Sequence, residues 1–113
     1  MDMVIDTNII VAAILRKGDT RKLIFSKNFD LYAPDHAHYE IMKHSEEFMK
    51  KANINKEEFL DAVELTFQNI TTTPIEEYKQ FKSHAENLCP KGHENDWPFI
   101  ALALKLRCGL WTN

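Results

Sequence analysis

Short apolar runs that end in polar residues alternate with longer segments of helical spacing, and this alternation constrains the fold more than any other feature. Residues 3–5 form the first run, and the apolar stretch at 9–15 is too long to continue the same strand. A buried strand, a turn and a buried helix therefore fit this region best. Further strands are predicted at residues 31–34, 70–72 and 110–112.

The segments between these strands carry signals for helices. We predict a helix from Asp35 to about Lys50, because apolar residues return there at helical spacing. The helix that follows Asp96 is apolar nearly all round, so it belongs in the middle of the structure. Residues that favour helix starts or ends stand at several other places, namely Asp19, Asn55 with Glu58, Thr73 with Pro74, and Gly109.

Strands separated by helices predict an α/β fold, a three-layer sandwich with a central, mostly parallel sheet. The chain has 113 residues, of which 44% are apolar, and this suffices for a single domain spanning 1–113. In a parallel sheet, ligands bind at the carboxyl ends of the strands. We therefore expect the chemistry at that edge.

Composition predicts a soluble cytoplasmic protein with no membrane partner. Charges interrupt every apolar stretch before it reaches the roughly 18 residues of a membrane-spanning helix. Met1 and Asp2 begin no positively charged secretory leader. Cys89 and Cys108 are too few and too isolated for a disulfide framework, so buried reduced thiols are expected.

The formal net charge of −3 does not indicate a nucleic-acid partner, because phosphate groups bind preferentially to a basic surface. Any basic surface must be local. The densest candidates are Arg16, Lys17, Arg21 and Lys22. A solvated helix start explains these four residues as well as a phosphate contact does.

Three acids stand where the predicted fold could bring them together. Asp6 follows the first strand, Glu40 lies in the helix after the second, and Asp96 opens the apolar helix before the fourth. Each has an ordinary alternative, a helix N-cap for Asp6 and Asp96 and a solvated helix position for Glu40. Together they predict a cluster of hard oxygen ligands suited to Mg²⁺ or Mn²⁺.

The order and spacing of these motifs resemble the PIN-domain family. Residues 4–10 look like its opening motif, Glu40 matches the acid after its second strand, and residues 96–104 look like its third-acid motif. Residues 110–113 resemble the segment that precedes the family's fourth acid. The resemblance covers nearly the whole chain and is specific only when the motifs are taken together.

This resemblance implies a metal-dependent ribonuclease directed at single-stranded RNA. It is greatest toward the VapC-like toxins of bacterial and archaeal toxin–antitoxin pairs, which implies an antitoxin as a protein partner. Carried over, Asp6, Glu40 and Asp96 would be catalytic metal ligands for Mg²⁺ or Mn²⁺. Asn8 and Thr112 would contact the substrate or orient those ligands.

Two departures from the family pattern affect the expected activity. The fourth acid would follow Asn113, and it is absent together with the family's final helix and strand. The interpretations are truncation of a longer protein, natural loss, or a role for the terminal carboxylate of Asn113 in place of the acid. The second departure is His93, which stands where close relatives often carry an acid.

The missing final strand would leave the edge of the last strand exposed, with Leu110 and Trp111 on it. This exposed edge predicts a homo-oligomer.

Three other interpretations stay open. A dehalogenase-like phosphatase would use Asp6 as a nucleophile but needs a second acid where Asn8 stands. A stripe of His36, Glu40 and His44 at four-residue spacing could bind zinc. The third alternative is a catalytically weak or inactive PIN-like module that binds RNA or protein, because the fourth acid is absent.

Overall fold

The sheet that organises the molecule contains four parallel strands in the part of the chain described by the computed structural model, residues 1–15 and 19–112. The side chains of residues 19, 20 and 23 are outside that description. The strands are β1 (Asp2–Ile5), β2 (Asp30–Pro34), β3 (Ile70–Thr73) and β4 (Gly109–Trp111), in the order β3-β2-β1-β4. The predicted α/β sandwich is confirmed, and every described strand pair is parallel.

The strands form where apolar side chains can be buried on the sheet. Val4 and Ile5 of β1 are completely buried, as is Ala33 of β2. Consecutive buried residues in β1 are typical of a parallel sheet, in which helices cover both faces. The two strands that bury these residues, β1 and β2, are the inner strands of the sheet.

The direction of chain progression across the sheet reverses at β1. The chain runs outward from β1 through β2 to β3, and then returns to place β4 on the other side of β1. Ile5 is in register with Trp111, and the N–H of Asp6 donates to the carbonyl oxygen of Trp111 at 3.2 Å. Crevices form where strand order reverses in this way, outside the carboxyl ends. The fold therefore places Asp6 at such a crevice.

Seven α-helices surround the described part of the sheet: α1 (Thr7–Leu15), α2 (Asp19–Ile24), α3 (Asp35–Lys43), α4 (Ser45–Ala52), α5 (Lys56–Phe67), α6 (Lys82–Leu88) and α7 (Trp97–Leu106). Short 3-10 turns occupy Ile75–Glu77, Lys79–Phe81 and Glu94–Asp96. Helix α1 packs against α2, α3 and α5, whereas α7 packs against α6, β1 and β2. No helix in the described ranges is long and apolar enough to cross a membrane.

Local signals correctly located the start of α5. The side chain of Asn55 accepts a hydrogen bond from the N–H of Glu58 at 2.8 Å, and the Glu58 carboxylate accepts one from the N–H of Asn55 at 3.3 Å. This reciprocal pair is the predicted capping box. Helix α2 is found where it was predicted, although Asp19 is its first residue and not the cap before it.

The single helix predicted from Asp35 to about Lys50 is wrong, because the structure contains two helices there. His44 has φ −103° and ψ 21°, which interrupts the helix between α3 and α4. Ile41 is completely buried before the break, while Phe48 and Met49 pack on the core after it. Since neither glycine nor proline marks the position, packing rather than local propensity accounts for the break.

The helix start predicted at Thr73 and Pro74 is also wrong. Thr73 pairs with Pro34 in the sheet and is only 7% exposed, so it is a strand residue and not a cap. Two 3-10 turns follow before α6 begins. Gly109 likewise does not end α7, since Arg107 already leaves the helix with φ 54° and Gly109 opens β4.

Tyr78 lies between these two 3-10 turns. Ionisation of its phenol is expected to make the stability of the fold depend on pH. Its ring is 2% exposed and lies 5.8 Å from the Trp97 ring between centroids. Burial raises the pKa of Tyr78 above its ordinary value, and the carboxylates of Asp35 and Glu76 raise it further. Folding therefore favours the neutral phenol, whose contribution is complete below about pH 10 and is lost as pH rises through the raised pKa.

We expect the free energy of unfolding to fall less steeply above about pH 10 in Tyr78→Phe than in the wild type. Denaturant titrations followed by circular dichroism at pH 8 to about 11 measure this slope. Tyr39→Phe is the matched control for loss of a phenol, since Tyr39 is 61% exposed. Parallel curves for Tyr78→Phe and the wild type would contradict the expectation.

Candidate active site

Three carboxylates from distant parts of the sequence line one cleft at the carboxyl edge of the sheet. They belong to Asp6, Glu40 and Asp96, and the cleft has a volume of about 660 Å³. Asp6 directly follows β1, Glu40 lies on α3 after β2, and Asp96 immediately precedes α7. The structure therefore brings together the three acids singled out in the sequence.

Asp6 serves as the N-cap of α1 and also lines the cleft. Its Oδ1 accepts a hydrogen bond from the N–H of Ile9 at 3.0 Å, and its carbonyl accepts the N–H of Ile10 at 3.2 Å. This is the capping arrangement that the sequence offered as the alternative to a site residue. The two interpretations are compatible, because the cap holds the partly buried Asp6 side chain at the mouth of the crevice.

Glu40 receives two contacts on one oxygen. The Thr7 hydroxyl donates to Oε1 at 3.2 Å, and His36 Nε2 lies 3.3 Å from the same atom, four residues earlier on α3. The side chain of Glu40 is 36% exposed. Thr7 thus connects the start of α1 to α3, and it fixes the Glu40 carboxylate relative to the end of β1.

Asp96 is the most open of the three acids. Its side chain is 64% exposed, and Oδ2 lies 3.9 Å from His93 Nδ1. Although Asp96 occupies the N-cap position of α7, its side chain makes no capping hydrogen bond. Asp96 therefore stands at the predicted N-cap position without making the capping hydrogen bond, and it lines the cleft.

The loop before Asp96 is shaped by a glycine and a glutamate. Gly92 has φ +88°, a conformation that residues with a Cβ rarely adopt, and its N–H donates to Glu94 Oε1 at 3.1 Å. The backbone N–H of Glu94 and then that of Gly92 lower the pKa of the Glu94 carboxyl by hydrogen bonding to it. The ionised Glu94 therefore stabilises the turn that leads to Asp96.

The structure describes some of the remaining predicted site residues and not others. Asn8 and Thr112 are exposed, and both line the cleft with the three acids. Asn113, Arg16 and Lys17 lie outside the described residues.

The described part of the basic candidate surface belongs to α2. The guanidinium of Arg21 lies over the Phe25 ring, 5.6 Å from its centroid, and Lys22 is exposed. Neither residue lines the cleft.

Several residues that the sequence did not place in the site also line the cleft. Thr7 is the best placed, and the sequence did offer a signal for it, since a short polar side chain directly after Asp6 can orient a neighbouring carboxylate or cap the next helix. His44, Glu47 and Phe48 come from the junction of α3 and α4. The sequence offered His44 only as a zinc ligand, and it carried no signal for Glu47 and Phe48, because the helix break at His44 was not predictable from local propensity.

The carboxylate oxygens of the cleft suit a hard divalent cation, although the three carboxylates are not grouped closely. Aspartate and glutamate oxygens are the ligands that Mg²⁺ and Mn²⁺ prefer. Among the described residues, no three histidine, cysteine, aspartate or glutamate side chains are grouped closely enough to hold a metal ion. Any ion would therefore require movement of these side chains or would retain several water ligands.

The zinc stripe of His36, Glu40 and His44 is not assembled by the structure. His36 contacts Glu40, but His44 lies outside α3, so the four-residue alignment does not extend to it. The His44 ring instead packs edge-on against Phe48, with centroids 6.5 Å apart. This cluster is a set of packing contacts in the described chain.

Cys89 and Cys108 are free thiols, as predicted, but they are only partly buried. Burial raises the pKa of both, and for Cys89 the nearby carboxylates of Asp96, Glu94 and Glu86 raise it further. A raised pKa reduces the thiolate fraction at neutral pH, which makes a nucleophilic role for either cysteine unfavourable.

Comparison with protein families supports what the fold and cleft indicate. A family model described as PIN domain matches residues 4–113, which is nearly the whole chain. A search of curated proteins found no significant match. Because the match covers nearly the whole chain, including β2, β3, β4, the second half of β1 and all three cleft acids, the chain belongs to the PIN domain family.

Proposed function

We propose that this chain is a metal-dependent endoribonuclease that hydrolyses phosphodiester bonds in single-stranded RNA. PIN domains are generally nucleases and commonly depend on divalent metals. The observation that carries the proposal is the meeting of Asp6, Glu40 and Asp96 in one cleft at the switch point of the sheet. Three separate parts of the chain position these acids, namely the junction of β1 and α1, helix α3, and the 3-10 turn before α7.

Asp6, Glu40 and Asp96 are the proposed ligands for Mg²⁺ or Mn²⁺. When bound, such an ion neutralises charge on the phosphodiester and makes a water molecule more acidic for in-line attack. The chain's own contribution is to orient the carboxylates. Asp6 is oriented by the N–H of Ile9, and Glu40 by the hydroxyl of Thr7.

Asn8 and Thr112 are proposed substrate contacts. Both side chains are exposed at the cleft, and both carry neutral polar groups that can hydrogen-bond to a phosphate or ribose without adding negative charge. Their position on either side of Asp6, at the start of α1 and the end of β4, suits them to orient a strand across the acids.

A second candidate function is an RNA-binding or protein-binding module that does not cleave. The open ligand set favours it, since no three ligand-type side chains among the described residues are grouped at coordination distance. Weak metal retention would allow binding to persist without efficient hydrolysis.

A cleavage assay tests the two candidates against each other. The purified chain is incubated with end-labelled single-stranded RNA, duplex RNA or single-stranded DNA, each with Mn²⁺, Mg²⁺ or a chelator. We expect internal cleavage of single-stranded RNA that requires metal and is absent from the double variant Asp6→Asn/Asp96→Asn. RNA binding with no cleavage above the double variant would instead support the binding module.

Thr7→Val is expected to reduce cleavage by about tenfold and to weaken metal binding, because Glu40 loses its hydroxyl donor while the side-chain volume is preserved. The measurements are kcat/KM and the Mn²⁺ concentration at half-maximal activity. Thr7→Ser, which keeps the hydroxyl, should restore both values toward the wild type. Equal losses in the serine and valine variants would show that Thr7 acts only through packing.

We further propose that the chain is cytoplasmic, acts as the toxin of a VapC-like toxin–antitoxin pair, and self-associates. In the described sheet β4 pairs with β1 on one side, and Leu110 and Trp111 are only partly buried. An edge strand with apolar side chains favours association with another chain. A genomic neighbour encoding a short DNA-binding protein would support the antitoxin.

Sedimentation velocity over a hundredfold range of protein concentration tests the self-association. We expect the weight-average sedimentation coefficient to rise with concentration, and Trp111→Lys to lower that dependence by charging the β4 edge. Lys22→Glu provides the control for a charge change elsewhere, since Lys22 is exposed on α2. A coefficient that stays at the monomer value throughout the range would contradict the proposal.

A further inference from the structure

A second groove adjoins the cleft. It has a volume of about 800 Å³ and shares Glu40, His44 and Asp96 with the cleft. Its walls come from α3 and from the 3-10 turn Ile75–Glu77, with the start of α7 between them. Volumes of this size are typical of ligand pockets. A strand crossing the three acids would therefore extend into this groove.

Exposed aromatic and apolar surface distinguishes the groove. Tyr39 is 61% exposed and Ile75 is 46% exposed, although both are large hydrophobic residues. The His36 ring stacks on the Tyr39 ring, with centroids 6.2 Å apart and an interplanar angle of 26°. We call this His36–Tyr39 pair the platform, and Ile75 lines the same groove.

The platform is connected to the proposed catalytic acids by helix α3. His36, Tyr39, Glu40 and Lys43 occupy positions i, i+3, i+4 and i+7, so they share one face of that helix. His36 contacts both the Tyr39 ring and the Glu40 carboxylate. A group stacked on Tyr39 would consequently lie beside the phosphodiester that Glu40 helps to position.

The charged side chains that line the groove determine which chemical groups can bind in it. Asp35 and Glu76 also line the groove, so its rim repels a phosphate, whereas the neutral face of a nucleobase carries no such penalty. Lys43 lies on the same wall and supplies a cation for the backbone next to that base. Bases stack on aromatic side chains in this way when they are unpaired.

We propose that this groove is a base-stacking subsite, in which Tyr39 and His36 receive an unpaired RNA base next to the scissile phosphate. The inference rests on the proposed nuclease function, since that function brings RNA across Glu40 and Asp96. The subsite selects single-stranded over duplex RNA, because a paired base is already stacked on its neighbours and cannot enter.

Equilibrium binding separates this inference from catalysis. Fluorescence anisotropy with a labelled, unstructured RNA dodecamer in Ca²⁺ measures Kd for the wild type, Tyr39→Phe and Tyr39→Ala. We expect Tyr39→Ala to raise Kd about 5- to 100-fold, since stacking on one base contributes that much, and Tyr39→Phe to stay near the wild type. Leu65→Ala controls for the loss of another exposed apolar side chain, since Leu65 is 44% exposed on α5.

An abasic scan of the same dodecamer locates the base. One abasic position should weaken binding to the wild type and should have little further effect on Tyr39→Ala, because both changes remove the same contact. Equal Kd values for Tyr39→Ala and the wild type would overturn the inference, as would an equal loss in Tyr39→Phe. Binding of a duplex that depends on Tyr39 to the same degree would also overturn it.

The outcomes distinguish the subsite from the nuclease activity. Tyr39-dependent RNA binding without metal-dependent cleavage would support the subsite and reject the proposed hydrolysis. Cleavage of RNA that does not depend on Tyr39, in either KM or Kd, would support the nuclease and reject the subsite. Absence of RNA binding by the wild type would reject both.

Discussion

Asp6→Asn is expected to lower kcat/KM for single-stranded RNA by on the order of 100-fold or more in Mn²⁺. The substitution removes one negative charge from the proposed metal site. It leaves an amide oxygen that can still accept the N–H of Ile9, the contact that Asp6 Oδ1 makes at 3.0 Å. The loss should therefore come from the site and not from unfolding of α1.

Circular dichroism and denaturant titration provide the necessary check that Asp6→Asn is folded. Asp30→Asn is the matched control, because Asp30 is an exposed carboxylate at the start of β2, outside the cleft. We expect this control to cleave RNA within about twofold of the wild type. Full activity in Asp6→Asn, or equal loss in the two variants, would reject the role assigned to Asp6.

Leu102→Ala is expected to lower the free energy of unfolding by about 3 kcal/mol. Leu102 is completely buried in α7, the helix that packs against β1 and β2. The substitution removes most of an apolar side chain and leaves a cavity that a close-packed core fills only in part. Urea denaturation measured by circular dichroism gives the change directly.

Leu88→Ala is the control for this stability change. Leu88 is 54% exposed near the end of α6, so the same substitution there should change the free energy of unfolding by less than about 0.5 kcal/mol. Comparable effects in both variants would show that α7 does not form the core of the folded protein. A large effect at Leu102 alone would support the packing described.

Much of the candidate site was predictable from local sequence, although the functional roles stay predictions. Asp6 follows an apolar run, and the geometry of a strand that ends there places it at the sheet edge. Asp96 could be placed before α7 because an almost wholly apolar helix begins directly after it. The structure brings both acids together with Glu40 in one cleft, and it adds a capping role for Asp6 that the sequence had offered as an alternative.

Other features could not be predicted because they depend on contacts between distant residues. Thr7 and Glu40 are separated by 33 positions, and their hydrogen bond exists only because α3 packs beside the start of α1. No glycine or proline marks the helix break at His44, yet Glu47 and Phe48, which follow the break, line the cleft. Thr73 looked like a helix cap until its pairing with Pro34 placed it in the sheet.

The sequence by itself determined the alternation of strands and helices and the ends of strands at which polar residues stand. These properties are local, since periodicity and capping act over a few neighbouring residues. Only the tertiary structure decided that β4 lies beside β1, that three acids share one cleft, and that Tyr39 opens onto a groove beside them. The physical reason is that burial of apolar surface selects the arrangement of whole elements, and that arrangement places side chains that are remote in the chain next to one another.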